Sequence, residues 1–177
     1  YVEREDVFYY LTVINEKYRQ PEMPEGAEEG ILKGLYKFRA SRKKGKKLRA
    51  HLLGSGAILN EVIKAQEILE KEHGVTADVW SATSYKELRR EAMDCERWNM
   101  LHPDEEARVP YVTSALEGGG VTVASSDYIK AWPGLIEPYV PGRFVTLGTD
   151  GYGRSETREA LRDHFEVDSR YVVVATL

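Results

Sequence analysis

From residue 48 onward, short β-branched runs alternate with stretches that repeat apolar residues at helical spacing. No other feature restricts the fold of this chain so strongly. Residues 48–53 read as a strand. After Gly54-Ser55-Gly56, where Ser55 is placed to cap a helix, Ile58, Val62, Ala65 and Leu69 recur at intervals of three and four. Leu59, Ile63 and Ile68 widen that face, so a helix follows. Gly74 ends it, and residues 75–83 read as a second strand. A helix over 84–96, an irregular stretch through Pro110 and a short helix over 111–117 lead to a third strand, Val121-Thr122-Val123-Ala124-Ser125. Residues 127–139 read as a helix broken near Pro133, and Phe144-Val145-Thr146-Leu147 as a fourth strand. A helix over 155–165 turns Ala160, Leu161, His164 and Phe165 inward. Strands joined by helices make a mostly parallel sheet covered on both faces, because each parallel crossover returns over the sheet.

The first 47 residues are less regular. Residues 1–15 hold an aromatic, β-rich run that reads as one strand, and Pro21 and Pro24 mark a connection. Ala27, Ile31 and Leu35 stand four apart, which predicts a short helix over 26–38. Gly26, Gly30 and Gly34 share one side of it, where small residues let another backbone approach. The block Arg42-Lys43-Lys44-Gly45-Lys46-Lys47 reads as a solvated linker, not a phosphate site, since the chain has 25 Lys and Arg against 29 Asp and Glu. The same balance argues against nucleic-acid binding, which needs a basic face. No apolar run approaches the ~20 residues that cross a bilayer. One cysteine, Cys95, excludes an internal disulfide and fits a reducing, cytoplasmic compartment. The length of 177 residues fits one domain with an added segment. Both ends are apolar where termini are ordinarily polar, so the chain reads as a piece of a longer one.

Two loops resemble ligand sites. Leu53-Gly54-Ser55-Gly56-Ala57-Ile58-Leu59 joins a strand to a helix as a dinucleotide site would, but Leu59 stands where the third glycine belongs. The acidic residue expected about 20 residues on should end the second strand, but Asp78 sits near that strand's start. The plain reading is a turn that begins a helix. The second loop, Thr149-Asp150-Gly151-Tyr152-Gly153-Arg154-Ser155, follows the fourth strand at the sheet's carboxyl edge, where α/β proteins bind ligands. Asp150, Gly151, Gly153, Arg154 and Ser155 are therefore the candidate rim of a functional surface. In that reading the glycines permit unusual angles and close approaches, Ser155 caps the next helix, and Arg154 pairs with Asp150 or reaches a neighbouring domain. The alternative is a tight turn held together by Asp150 and Arg154. His51, His73, His102 and His164 are scattered, with His164 read as a core histidine. Cys95 and His102 are a weak zinc pair. No catalytic constellation, cofactor-binding set or metal-binding set emerges.

Several runs together carry a family resemblance. They are Met23-Pro24-Glu25-Gly26-Ala27-Glu28-Glu29-Gly30, Leu53-Gly54-Ser55-Gly56, Asp94-Cys95-Glu96-Arg97-Trp98-Asn99-Met100-Leu101-His102-Pro103, Leu147-Gly148-Thr149-Asp150-Gly151-Tyr152-Gly153-Arg154-Ser155 and His164-Phe165-Glu166-Val167-Asp168. In this order they resemble the carboxyl-terminal part of the homodimeric bacterial pyruvate dehydrogenases, decarboxylating oxidoreductases of the transketolase superfamily at the exit of glycolysis. The resemblance implies a transketolase C-terminal-like, three-layer α/β domain with a mostly parallel, five-stranded mixed sheet over residues 48–177, its final helix truncated. Residues 1–15 would be the last strand of a preceding pyrimidine-binding domain, and 16–47 the connection. The parent enzyme would use thiamine diphosphate and magnesium to decarboxylate pyruvate and pass the acetyl group to a lipoyl group.

The family's catalytic positions lie in the earlier domains, so none is carried over. Its magnesium motif is also missing: Gly148-Thr149-Asp150-Gly151 does not match, and Asn15, Asn60 and Asn99, the only asparagines, stand apart. Implied partners are the upstream pyrimidine- and diphosphate-binding domains, the second subunit of a homodimer, and the dihydrolipoyl acetyltransferase. Other readings are a module that docks that acetyltransferase core, or a stand-alone nucleotide-binding α/β domain. The resemblance also turns residues 168–177 into a helix capped by Asp168, although Tyr171-Val172-Val173-Val174 has strand propensity.

Overall fold

The computed structural model describes residues 2–10, 13, 17–42, 48–118 and 120–177. Five strands form one sheet: β1 (Leu35–Arg39), β2 (Arg49–Gly54), β3 (Thr76–Ala82), β4 (Val121–Ser125) and β5 (Arg143–Leu147). Their order is β1-β3-β2-β4-β5; β1 runs antiparallel to β3, and the other neighbours are parallel. The expected mostly parallel, mixed α/β sheet is therefore present. Its central strands are buried on both faces, and all seven residues of β3 are buried, as a sheet covered by helices requires.

One face carries α2 (Leu59–Ile68) and α7 (Ser169–Thr176). Its core joins Leu52, Val79 and Val123 of the sheet to Val62, Leu69 and Val172 of the helices. The other face carries α3 (Tyr85–Leu101) and α4 (Tyr111–Ala115), and there Leu53, Trp80 and Ala124 pack with Tyr85, Leu88 and Val112. The alternation of side chains along each strand sends neighbouring residues to opposite cores.

Asp168 caps α7 by accepting from the amides of Arg170, at 2.8 Å, and Tyr171. The apolar run behind it is the helix expected there, with Val172 and Val173 buried. Burial against α2 outweighs the β-branched preference.

The amino-terminal third departs from expectation. Helix α1 (Glu28–Lys33) stops at Gly34, whose φ of 98° suits glycine, and the chain turns directly into β1. Leu35 to Phe38 thus belong to the sheet and not to a helix, and the expected connection supplies its edge strand. Gly30 and Gly34 do permit close approach: a Cβ on Gly30 would meet Tyr36, and one on Gly34 would meet the carbonyl of Ser84.

Arg39 ties β1 to α2 through the side chains of Gln66 and Glu67 and the carbonyl of Ile63. No strand forms over 2–10, where Phe8 and Tyr10 are 92% and 86% exposed. A strand needs a hydrogen-bonded neighbour, and these residues have none among the described residues. The rest of that expected strand and the basic run 43–47 lie largely or wholly outside the described residues. No helix among the described residues is long and apolar enough to cross a membrane.

A buried polar group sits within the second core. His51 of β2 is 2% exposed, and its Nδ1 accepts from Trp80 Nε1 at 3.2 Å. The neutral ring therefore carries its proton on Nε2. Burial lowers the His51 pKa; Asp78 pulls it up, while Arg49 and Lys37 push it further down. Burial raises the Asp78 carboxyl, but the Ser41 amide, Lys37 and His51 outweigh it and hold the pKa below its ordinary value.

Two outcomes follow from this packing. Gly120, at φ 98°, leads into β4 where a Cβ would collide with the carbonyl of Arg49. Gly120→Ala should lower stability by about 2–3 kcal/mol, read from the urea midpoint. Because the folded pKa of His51 is depressed, its neutral form favours folding above the unfolded value, and that stability is lost as pH falls. Stability should decline below about pH 6.5, and His51→Gln should flatten that part of a thermal-melt profile. The Asp78 contribution should disappear separately, at lower pH, as its carboxylate protonates.

Candidate functional site

The loop after β5 is pinned to the loop after β4. Thr149 donates from Oγ1 to the carbonyl of Asp127 at 2.6 Å and from its amide to that of Tyr128 at 2.9 Å. Asp150 Oδ1 accepts from the Lys130 amide at 2.9 Å. Close approach is built at Gly148, where a Cβ would strike the Tyr128 carbonyl and the Lys130 amide. Gly151 takes a φ of 90° in open space, so it supplies the turn, while Gly153 meets nothing within 4 Å.

Two expected contacts are absent. Ser155 does not cap the following helix, α6 (Arg158–His164); Thr157 does, accepting from the Ala160 amide at 3.3 Å. The helix starts two turn residues later than its sequence implied. Arg154 pairs with neither Asp150 nor any other side chain among the described residues, because Asp150 is turned towards Lys130.

Between this loop and α6 lies a groove of about 330 Å³. Gly151, Gly153 and Arg154 line it, whereas Asp150 braces it from outside and Ser155 takes no part. The sequence reading missed Arg158, Arg162, Leu161 and Phe165, which also line it. Their signal was present: Arg154, Arg158 and Arg162 stand four apart, as do Leu161 and Phe165. On α6 that spacing sets Arg158 and Arg162 on one stripe beside an apolar one, while Arg154 lies ahead of the helix and reaches the groove from the loop. Leu161 and Phe165 are inward as expected, but Ala160 and His164 are exposed, so His164 is not a core histidine.

The Gly54 turn is no ligand cradle. A Cβ on Gly54 would meet the Leu59 backbone at 2.8 Å, so this glycine lets the helix sit against the strand. Ser55 makes no capping bond there; a short 3-10 turn, Gly56–Ile58, leads into α2 instead. The crevice where the strand order reverses, between β2 and β4, is covered by the chain itself. Ser125 Oγ donates to the carbonyl of Val167 at 3.0 Å, and Glu61 Oε2 accepts from the Ser169 amide at 3.2 Å.

Cys95 and His102 do not meet at a metal site. Cys95 Sγ contacts Glu91 Oε1 at 3.3 Å, and burial together with Glu91 pushes the thiol up to about 11. The His102 ring stacks on Trp98 at 4.5 Å, and the Arg108 guanidinium lies 4.0 Å from the centre of the same Trp98 ring. Asn99 clamps the Arg108 amide and carbonyl, at 2.7 and 2.9 Å. The run Asp94-Cys95-Glu96-Arg97-Trp98-Asn99 therefore straps the irregular stretch onto α3. Among the described residues, no three His, Cys, Asp or Glu side chains are grouped to hold a metal ion.

Known proteins match this arrangement. The chain is 55% identical over 175 residues to the pyruvate dehydrogenase E1 component of Haemophilus influenzae, covering 98% of this chain and 20% of that protein. It is 54% identical to the Escherichia coli K12 component, with 98% and 19% covered. The chain thus spans about a fifth of the length of these curated relatives, and the resemblance read from its motifs is borne out. Among solved structures, transketolase from Leishmania mexicana aligns with a TM-score of 0.54 at 20% identity, over 84% of this chain and 18% of that one. A Pichia stipitis transketolase aligns at 0.57 and 17%, over 88% and 19%. These two show the fold alone. The transketolase-like TK C-terminal domain family matches residues 34–168, from the turn into β1 to the cap of α7, and the chain belongs to that family.

Proposed function

We propose that the chain serves as the carboxyl-terminal domain of a pyruvate dehydrogenase E1 component, a cytoplasmic enzyme that decarboxylates pyruvate oxidatively and transfers acetyl to a lipoyl group. The observation that carries this reading is identity of 54–55% to such components along 98% of the chain. In the full enzyme, residues 1–15 complete a preceding pyrimidine-binding domain, residues 16–47 cross to the sheet, and β1 within them joins it. The exposed Val7, Phe8, Tyr9 and Tyr10 are suited to that role, since burying such side chains in a neighbouring domain stabilises both. A second subunit and a dihydrolipoyl acetyltransferase are the further partners.

The residues of this chain do not fit thiamine diphosphate or magnesium. Magnesium needs several well-placed oxygen ligands, and among the described residues no three His, Cys, Asp or Glu side chains are grouped to hold a metal ion; Asp150, the acidic residue of the loop after β5, is turned to the Lys130 amide. Thiamine diphosphate, bound by the upstream domains, supplies the electron sink. What this chain contributes is position. Asp150 and Thr149 hold the loop after β5 against the loop after β4, and the rim at Gly151, Gly153 and Arg154 faces the neighbouring domain or subunit.

Calorimetry of the chain with thiamine diphosphate and magnesium should show no saturable heat; micromolar, metal-dependent binding would overturn the assignment of the cofactor to other domains. In the full-length enzyme, Asp150→Ala should lower decarboxylation about tenfold through misplacement while moving the melting temperature little. Unchanged activity would leave the loop an ordinary turn.

A further inference from the structure

We propose that the groove between the loop after β5 and α6 binds a small organic anion, a phosphate or carboxylate carried on an apolar or aromatic body. This goes beyond the positioning role of the loop, which rests on Asp150. The groove has the size of a small-ligand site, about 330 Å³. Arg154, Arg158 and Arg162 line it against a single acidic lining residue, Asp127. The chain as a whole carries a formal charge of −4, so three guanidiniums lining one groove, one from the loop and two from α6, run against the general composition.

Guanidinium is the side chain that matches the two oxygens of a carboxylate or phosphate with paired N–H donors. Arg162 lies 4.0 Å from Glu61, which helps to position its head at the groove. Leu161, Phe165 and Val167 form the apolar lining. An inorganic anion would leave these three uncovered, whereas a ligand with a hydrocarbon or ring portion would bury them. Tyr152, 93% exposed at the same groove, adds a ring on the opposite side. Among the described residues no group of side chains there could hold a metal ion, and binding, not turnover, is assigned to the groove.

The test uses the whole chain, shown to be folded by a cooperative thermal transition. The probes are phenyl phosphate, benzoate, inorganic phosphate and phenol, followed by calorimetry and amide chemical shifts. Phenyl phosphate or benzoate should bind saturably and more tightly than inorganic phosphate or phenol, with shifts concentrated in residues 149–167; whichever binds better identifies the head group. Arg154→Gln should weaken binding about tenfold or more, the loss of a charge-assisted donor. Arg90→Ala, on the exposed side of α3, should leave it unchanged. If Arg154→Gln melts early, Arg154→Lys, which keeps the charge and loses the paired donors, takes its place and should also weaken binding. Absence of saturable binding by both ring-bearing anions would overturn the proposal. So would equal affinity for inorganic phosphate, or affinity unmoved by the Arg154 variant.

Discussion

Glu61 is the group on which the arrangement of the carboxyl-terminal half depends. It is a buried carboxylate on α2, and two other segments converge on it beside its own helix neighbour Lys64. The Lys64 ammonium lies at 2.8 Å, the Ser169 amide at the start of α7 at 3.2 Å, and the Arg162 guanidinium of α6 at 4.0 Å. A buried charge is tolerated only when it is paired and hydrogen-bonded. The chain therefore has to bring the corner between α6 and α7 back onto α2. That return places Val167 over the carboxyl end of β4, where Ser125 bonds its carbonyl. The crevice that an open α/β sheet normally offers to ligands is filled by the protein's own backbone, and the recess nearest that edge lies further out, between α6 and the loop after β5.

The parallel part of the sheet was legible in the sequence because its strands are short runs, mostly of apolar and small residues, separated by stretches with helical periodicity. The residues of β2, β3 and β4 are nearly all buried, and the helices between them carry apolar stripes at regular spacing. The edge strand β1 was not legible for the opposite reason. It is half exposed, its residues alternate Leu35, Tyr36, Lys37, Phe38, and the fourfold recurrence of Ala27, Ile31 and Leu35 made it look like a continuing helix. Gly34 was the signal that separated the two, since a positive φ there ends α1 by the left-handed conformation glycine favours. The helix at the end of the chain shows the reverse conflict. Local preference favoured a strand over Tyr171-Val172-Val173-Val174, and only the capping carboxylate of Asp168 and the burial of two valines against α2 decide for helix.

At the candidate site the position was readable and the contacts were not. A polar, glycine-bearing loop after a parallel strand stands at the sheet's carboxyl edge whatever its side chains do. Which oxygen accepts which amide depends on the neighbouring loop after β4, and nothing local to Asp150 reveals that Lys130 will face it. Ser155 and Thr157 are both chemically able to cap a helix. The choice between them is set by where α6 must begin for Leu161 and Phe165 to reach the core, a tertiary requirement. The arginine stripe was visible as spacing but lacked meaning until α6 was placed beside the loop.

The same geometry separates two kinds of polar residue in this fold. His51 and Asp78 lie in the second core with their partners fixed: Trp80 for the imidazole, Lys37 and the Ser41 amide for the carboxylate. Their low accessibility ties their charge state to folding, so they govern how the domain responds to acid. Arg154 and Tyr152 lie at the opposite, carboxyl end of the sheet and are exposed, so substitution there changes recognition with little effect on stability. Under the function proposed above, this division suits a domain that positions its neighbours. The rigid polar pairs maintain the sheet, and the exposed guanidinium is left available to a ligand or an adjoining domain. The bracing bonds of Thr149 and Asp150 join the two regions, because they fix the exposed loop to strands whose own packing is closed.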